Sequence, residues 1–202
     1  NETRFNVAFT VPDYGIELGF WQSFIQNKIF FGADSTPRQH LYTISKNGHK
    51  SETVSVTSIY AEKNFKIKGF HLDHRVLVQL SSDQNVVPLP TVSAFLSYYY
   101  EFWIKRDVLR LQVGVDGRFN TKYYMQGYNP ALSVFYNQNE VALGNYPYLD
   151  AFIAAKWKRM RILLKYQHWN YGLFGNQEYF AVARYPLNPG MFKFGISWTF
   201  YD

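Results

Sequence analysis

The sequence predicts an all-β fold, a transmembrane antiparallel up-and-down β-barrel with about 8–10 strands in this stretch. Three observations lead there: apolar residues recur at every second position over long segments, short and long joints alternate, and aromatic side chains gather at segment ends. Composition narrows the alternatives. The 202 residues include no cysteine, 21 Lys+Arg against 15 Asp+Glu for a formal net charge of +6, and more aromatic (20%) than charged (18%) side chains. Such a chain is neither disordered nor a disulfide scaffold. No apolar run reaches the roughly 18 residues of a membrane-spanning helix. The N-terminus, Asn1-Glu2-Thr3-Arg4, lacks the basic and apolar regions of a secretory signal, so any signal is expected upstream or already removed.

The segments follow in chain order. Phe5, Val7, Phe9 and Val11 alternate with Arg4, Asn6, Ala8 and Thr10, and Ile16, Leu18 and Phe20 alternate with Glu17, Gly19 and Trp21. Residues 14–31 are read as one strand, because a break near 23–27, which would give ten strands and could close a barrel, lacks an Asn-Gly or Asp-Gly signal. Residues 53–65 are β-rich with a phase slip near Ser58, which predicts a bulge. Over 70–81 the apolar face is Phe70, Leu72, Val76, Val78 and Leu80, with His74 as its exception. Residues 92–103, 108–120, 149–158 and 161–170 repeat the design, and Phe192, Phe194, Ile196, Trp198 and Phe200 alternate with Lys193, Gly195, Ser197, Thr199 and Tyr201. That makes nine strands. With an odd number the first and last run in the same direction, whereas a closed antiparallel barrel wants an even count. These residues are therefore expected to be part of a larger barrel.

The joints point the same way. Pro12-Asp13-Tyr14-Gly15, Lys66-Ile67-Lys68-Gly69, Lys105-Arg106-Asp107 and Lys158-Arg159 are tight, whereas 32–51, 82–90, 121–147 and 171–190 are long and rich in Asn, Gly, Pro, Gln and Tyr. In an antiparallel meander this puts every tight turn at one end and every long loop at the other, as in an outer-membrane barrel.

A soluble sandwich would also give one apolar face per strand. Strands of about 10–13 residues suit a tilted membrane strand better than the usual 5 or 6 of soluble sheets. Large charged groups also stand on the other face with Gly and Ser, which suits a wet lumen. Aromatics before the tight turns, Tyr98, Tyr99, Tyr100, Phe102, Trp103 and Trp157, and the terminal Trp198, Phe200 and Tyr201, fit interfacial girdles. Arg75, Arg110, Asp116, Arg118, Lys165 and Lys193 are the candidate pore-lining residues, since rings of Arg and Lys favour anions. Asp73, Asp150, Glu17 and Glu101 lie on the same side and would cancel much of that field. In the loop 121–147, Tyr123, Tyr124, Tyr128 and Tyr136 are candidates for a constriction that contacts sugars or narrows the pore.

Other chemistry finds no support. His71 and His74 are three apart on one strand, so they face opposite ways and cannot share a metal; His40 and His49 fall in a long joint, and His168 is read as lying in a strand beside Trp169. All five are read as isolated polar or interfacial side chains. Without a nucleophile elbow, zinc motif, Walker loop or dinucleotide fingerprint, no enzyme, catalytic residue, metal or cofactor is expected. The basic residues divide between turns and inward positions instead of forming one stacking surface, which argues against nucleic acid.

The segment Met191-Phe-Lys-Phe-Gly-Ile-Ser-Trp-Thr-Phe-Tyr-Asp202 looks like the aromatic C-terminal strand read by barrel-insertion machinery, with Phe194, Trp198, Phe200 and Tyr201 as its signal, although Asp202 replaces the usual terminal aromatic. Gly144-Asn-Tyr-Pro-Tyr-Leu-Asp150, Lys156-Trp-Lys-Arg159, Lys165-Tyr-Gln-His168, Gly172-Leu-Phe-Gly175 and Tyr185-Pro-Leu-Asn-Pro189 resemble, in that order, the putative porin family of Bacteroidetes-type outer membranes. Upstream, Lys63-Asn-Phe-Lys66, His71-Leu-Asp-His-Arg75, Val87-Pro-Leu-Pro90 and Thr121-Lys-Tyr-Tyr124 fit it too. Family members are longer, so the resemblance implies that residues 1–202 are the C-terminal part of an outer-membrane β-barrel domain. It also implies a porin-like channel for passive diffusion of small hydrophilic solutes in a Gram-negative outer membrane. The implied partners are the lipid bilayer, lipopolysaccharide and the insertion machinery. A non-conducting scaffold, with an oligomeric or lipoprotein partner, is the alternative; Trp21, Phe24, Phe30 and Phe31 hint at it by exceeding what one lipid-facing strand needs.

Overall fold

The structure is a computed structural model that describes residues 1–33, 41–45, 53–173 and 180–200. In chain order the strands are β1 (Glu2–Val11), β2 (Ile16–Gln26), β3 (Ile29–Ala33), β4 (Leu41–Ser45), β5 (Thr53–Ile67), β6 (Phe70–Ser81), β7 (Val92–Lys105) and β8 (Leu109–Asn120). Then come β9 (Gly127–Asn129), β10 (Val134–Tyr136), β11 (Tyr148–Trp157), β12 (Met160–Gln167), β13 (Phe180–Val182), β14 (Tyr185–Pro186) and β15 (Met191–Trp198). Nine of them form one meander in the order β1-β2-β5-β6-β7-β8-β11-β12-β15, every neighbouring pair antiparallel. The fold is all-β and antiparallel. The sheet is open, because β1 and β15 are edges that do not pair with each other.

Register explains how one face stays apolar. Directly paired residues lie on the same side of a sheet, so a single row can be followed across it: Ile67, Phe70, Tyr100, Val113, Ile153, Leu164 and Phe194. Every member of that row is exposed. The next row, on the other face, reads Lys66, His71, Tyr99, Gly114, Phe152, Lys165 and Lys193. Among the described residues, no second layer covers the apolar side. The buried apolar residues among those described (Val54, Val56, Tyr60, Val86, Leu143, Tyr146 and Ala183) sit on the polar face or in the long joints instead. An uncovered apolar face of this extent exceeds the patch that a soluble monomer tolerates.

Tight and long joints alternate as the sequence predicts. Each tight turn holds one residue in the left-handed region: Gly15, Lys68, Asp107 and Lys158. The long joints carry hairpins of their own, β3 with β4 and β9 with β10.

Three expectations are corrected. Residues 14–31 are not one strand: Asn27 adopts φ +53°, which ends β2, and β3 turns away to pair with β4, so the count of nine still stands. Asn tolerates this conformation without a following Gly, which is why no hairpin signal marks the break. Near Ser58 there is no bulge; β5 pairs without a shift on both sides. Its 15 residues exceed the about 9–11 that span a bilayer. At its start Val54 and Val56 point to the polar face and are buried, while Ser55 and Thr57 point the other way, so the amphipathic sense inverts although the phase does not. The irregularity is between Trp103 and Lys105, beside a tight turn. Finally, Tyr99 and Trp103 belong to the polar face, opposite Gly114 and Arg110; Tyr98, Tyr100, Phe102, Trp157 and Trp198 remain on the apolar face.

Gly19 and Tyr60 show how closely the polar face is packed. The Tyr60 ring lies over Gly19, its hydroxyl donates to Glu17, and Trp21 packs on it at 4.8 Å between ring centroids. A Cβ on Gly19 would come within 1.8 Å of that ring, whereas one on Gly195 meets only Leu163, at 3.9 Å. We therefore expect Gly19→Ala to cost about 1–3 kcal/mol of stability and Gly195→Ala less than about 0.5 kcal/mol, read from denaturant unfolding of the full-length protein in detergent micelles.

Candidate functional site

The polar face carries the charged side chains, and pairing arranges them in rows. One row runs Glu17, Glu62, Arg75, Phe95, Arg118 and Tyr148. Arg75 pairs with Glu62 at 2.5 Å while staying exposed. The following row contains Ser97, Asp116 and Asp150, two carboxylates directly opposite each other. Like charges in that position repel, and neighbouring strands supply the remedy. Lys165 Nζ lies 2.7 Å from Asp116 and 3.1 Å from Asp150, Arg118 reaches Asp150 at 3.3 Å, and the Ser97 hydroxyl donates to Asp116 at 2.7 Å. Asp150 is only 1% exposed, and it also accepts the backbone N–H of His168 at 3.0 Å. A carboxylate this buried needs such partners.

Of the six side chains that the sequence assigns to a pore lining, all lie on this face. The structure brings Asp116, Arg118 and Lys165 into one network and leaves Arg75 to Glu62. Arg110 bonds Glu101 at 3.2 Å, stacks over Trp103 at 5.6 Å, and shares Glu101 with Gln112. Lys193 stands opposite Lys165 with no ion pair among the described residues. Phe194 and Trp198 are exposed on the apolar face of β15 and Phe200 stacks on Trp198, while Tyr201, like His40 and His49, lies outside the described residues.

The long joints fold against this face at one end. Tyr123 pairs with Leu143 through backbone bonds of 2.8 and 2.9 Å and is half-buried, which pushes its phenol pKa above the ordinary value. Together with Leu143, Gly144 and Tyr146 it encloses a cavity of about 430 Å³ with Arg118, Asn120 and Tyr148 of the polar face. Tyr124 is exposed at the surface of the joint. Tyr128 and Tyr136 build the β9–β10 hairpin: Tyr128 packs on Phe135 and Tyr185, and Tyr136 lies under Gly127. Asn137 ties this joint to the preceding long one by donating to the carbonyls of Asn85 and Val86, at 2.7 and 3.0 Å.

Sequence reading missed the centre of this end. His168 does not lie in a strand; it follows β12 with φ +54° and is fully buried. Its ring nitrogens bond Tyr146 Oη and the Asn188 carbonyl, each at 2.6 Å, and its ring stacks on Tyr148 at 4.5 Å. Asn170, also fully buried, donates to the Pro147 carbonyl and accepts from the Leu149 N–H. His168 ends the segment Lys165–His168 and Asn170 follows it, and their partners fall within Gly144–Asp150 and Tyr185–Pro189, all of which carry the family resemblance. No periodic signal marks them, because they lie where the strands stop. Trp21, one of the aromatics that had hinted at a partner, lies on the polar face and packs on Tyr60.

A family model described as Putative porin matches residues 1–202, the whole chain. No curated protein and no solved structure matches it.

His168 holds the last long joint to the joint before it, so its loss has a defined signature. His168→Ala leaves Tyr146 Oη and the Asn188 carbonyl without their partner and opens a cavity. The expected cost is on the order of 3 kcal/mol, together with faster tryptic cleavage after Arg184, measured by denaturant unfolding and by timed proteolysis of the folded protein.

Proposed function

The chain belongs to the Putative porin family, and from that premise we propose that its nine-stranded sheet is an arc of an outer-membrane barrel wall. In this reading the apolar face meets lipid and the polar face lines an aqueous lumen for passive diffusion of small hydrophilic solutes. The observation that carries it is the register: one uncovered apolar face, one charged face, and a single phase through nine strands. In hydrocarbon every backbone polar group must be paired within the protein, so only helices and closed barrels span a membrane. The odd strand count leaves β1 and β15 running the same way, which further strands must correct on closure.

The remaining assignments follow from that orientation. Arg75, Arg110, Asp116, Arg118, Lys165 and Lys193 line the lumen. The loop 121–147 narrows its outer mouth, with Tyr123 against the wall. Phe194, Trp198, Phe200 and Tyr201 form the strand that the insertion machinery reads. Lipid and lipopolysaccharide surround the apolar face. The tie between the long joints through Asn137 favours a second reading in which the mouth is plugged and the barrel serves as a scaffold.

Two measurements test this. The 202 residues lack cysteine, so single thiols report cleanly: Ala154→Cys on the polar face is expected to react with a membrane-impermeant thiol reagent in reconstituted vesicles, and Ile153→Cys, one residue away on the apolar face, is not. Equal labelling of the two would overturn the orientation. Planar-bilayer recordings of the full-length protein are expected to show steady open-channel steps; a heat-modifiable but silent protein would replace the pore with the scaffold.

A further inference from the structure

Among the described residues, the polar face carries one run of three cations set opposite one another. Beside the tight turns, register sets Arg110 of β8 opposite Lys156 of β11, Lys156 opposite Arg161 of β12, and Arg161 opposite Ser197 of β15. Three cations in a row across three adjacent strands repel one another, as opposed like charges do. The matching pair of acids, Asp116 and Asp150, has Lys165 and Arg118 to bridge it. This cation row has only Glu101, which is engaged at one end by Arg110 and Gln112. Lys156 and Arg161 have no ion pair among the described residues, and both are exposed.

The neighbouring row supplies space. Gln112, Ala154, Leu163 and Gly195 follow one another across the same strands. Ala154 and Gly195 leave the backbone bare, and an open groove of about 520 Å³ lies there, bordered by the three cations, Gln112 and Ser197. Trp103 holds the Arg110 guanidinium by stacking beneath it. Adjacent strands lie roughly 4.8 Å apart, so one small oxyanion between them can accept from two or three of these donors at once, and charge-assisted bonds to guanidinium and ammonium groups are the strong ones.

We propose that Arg110, Lys156, Arg161 and Ser197 form a binding site for a small oxyanionic solute, of the phosphate class, on the lumenal side of the wall near its tight-turn end. The site rests on the barrel reading for its place in the lumen, though not for its chemistry. It concentrates anions at that mouth, and it shifts selectivity from the paired residues Arg75, Arg118 and Lys165 to Lys156 and Arg161.

The test is calorimetric titration of inorganic phosphate into the full-length protein in neutral detergent at low ionic strength. Wild type is expected to bind, the doubly neutralised K156Q/R161Q to bind at least tenfold more weakly, and the charge-keeping Lys156→Arg and the turn variant Lys158→Gln to bind as wild type. Removing two repelling charges leaves folding intact, which heat-modifiable gel mobility checks. No phosphate heat in wild type, or undiminished binding by K156Q/R161Q, overturns the site. Repeating the titration in nanodiscs of phosphatidylcholine, and of equal parts phosphatidylcholine and phosphatidylglycerol, separates sources: unchanged binding supports a solute site, and loss with phosphatidylglycerol assigns the groove to lipid headgroups and overturns it. Phosphate binding by a protein that forms no channel would refute the pore and leave the site standing, whereas a conducting protein that binds no phosphate would do the reverse.

Discussion

Backbone register is the constraint on which the rest of this structure depends. Side chains alternate with period two, so the face of each residue is decided by the residue it pairs with, and one phase runs from β1 to β15. A slip of one residue in any strand would carry its apolar set onto the charged face. The sheet confines its irregularity to the Trp103–Lys105 step beside a tight turn. There a shift in pairing does not displace the long body of the strand.

Given that register, electrostatics on the polar face becomes a problem of neighbours across strands. Asp116 and Asp150 are forced together by pairing, and Lys165 from the next strand and Arg118 resolve the conflict. Losing one partner of a buried ion pair leaves a costly uncompensated charge, which explains why the most buried carboxylate, Asp150, has the most partners. Near the tight turns the same pairing produces a cation row without an internal remedy. The acidic pair near the long joints is thus balanced, and the cation row beside the tight turns is left open.

The two ends of the sheet differ for a physical reason. Tight turns need only one left-handed residue each, and they leave the adjoining strand ends bare. The long joints must satisfy many backbone groups away from any ladder, and they do so with side chains: Asn137 ties the joint 121–147 to the one before it, and Asn170 and His168 tie it to the one after. His168 unites the end of β12, the approach to β11 and the loop before β15, so one buried ring organises the long-joint end of the sheet. The sheet thus has anchored joints at one end and an open cation row at the other.

Much of the fold was legible in the sequence. Alternation at Phe192–Phe200 and 108–120, nine strands, and the sequence of short and long joints all follow from period two and turn composition, which are local properties. The apolar and charged faces were legible for the same reason. Three-dimensional pairing alone decided what those properties leave open. It ended β2 at Asn27, because a single left-handed residue carries no hairpin signature; it left β5 in phase past Ser58, where the apolar side passes to the polar face at Val54 and Val56. It also brought His168 to Tyr146 and Asn188, and set Arg110, Lys156 and Arg161 in a row. Period two determines which face each residue takes within its own strand, but only the register between strands determines which charges meet.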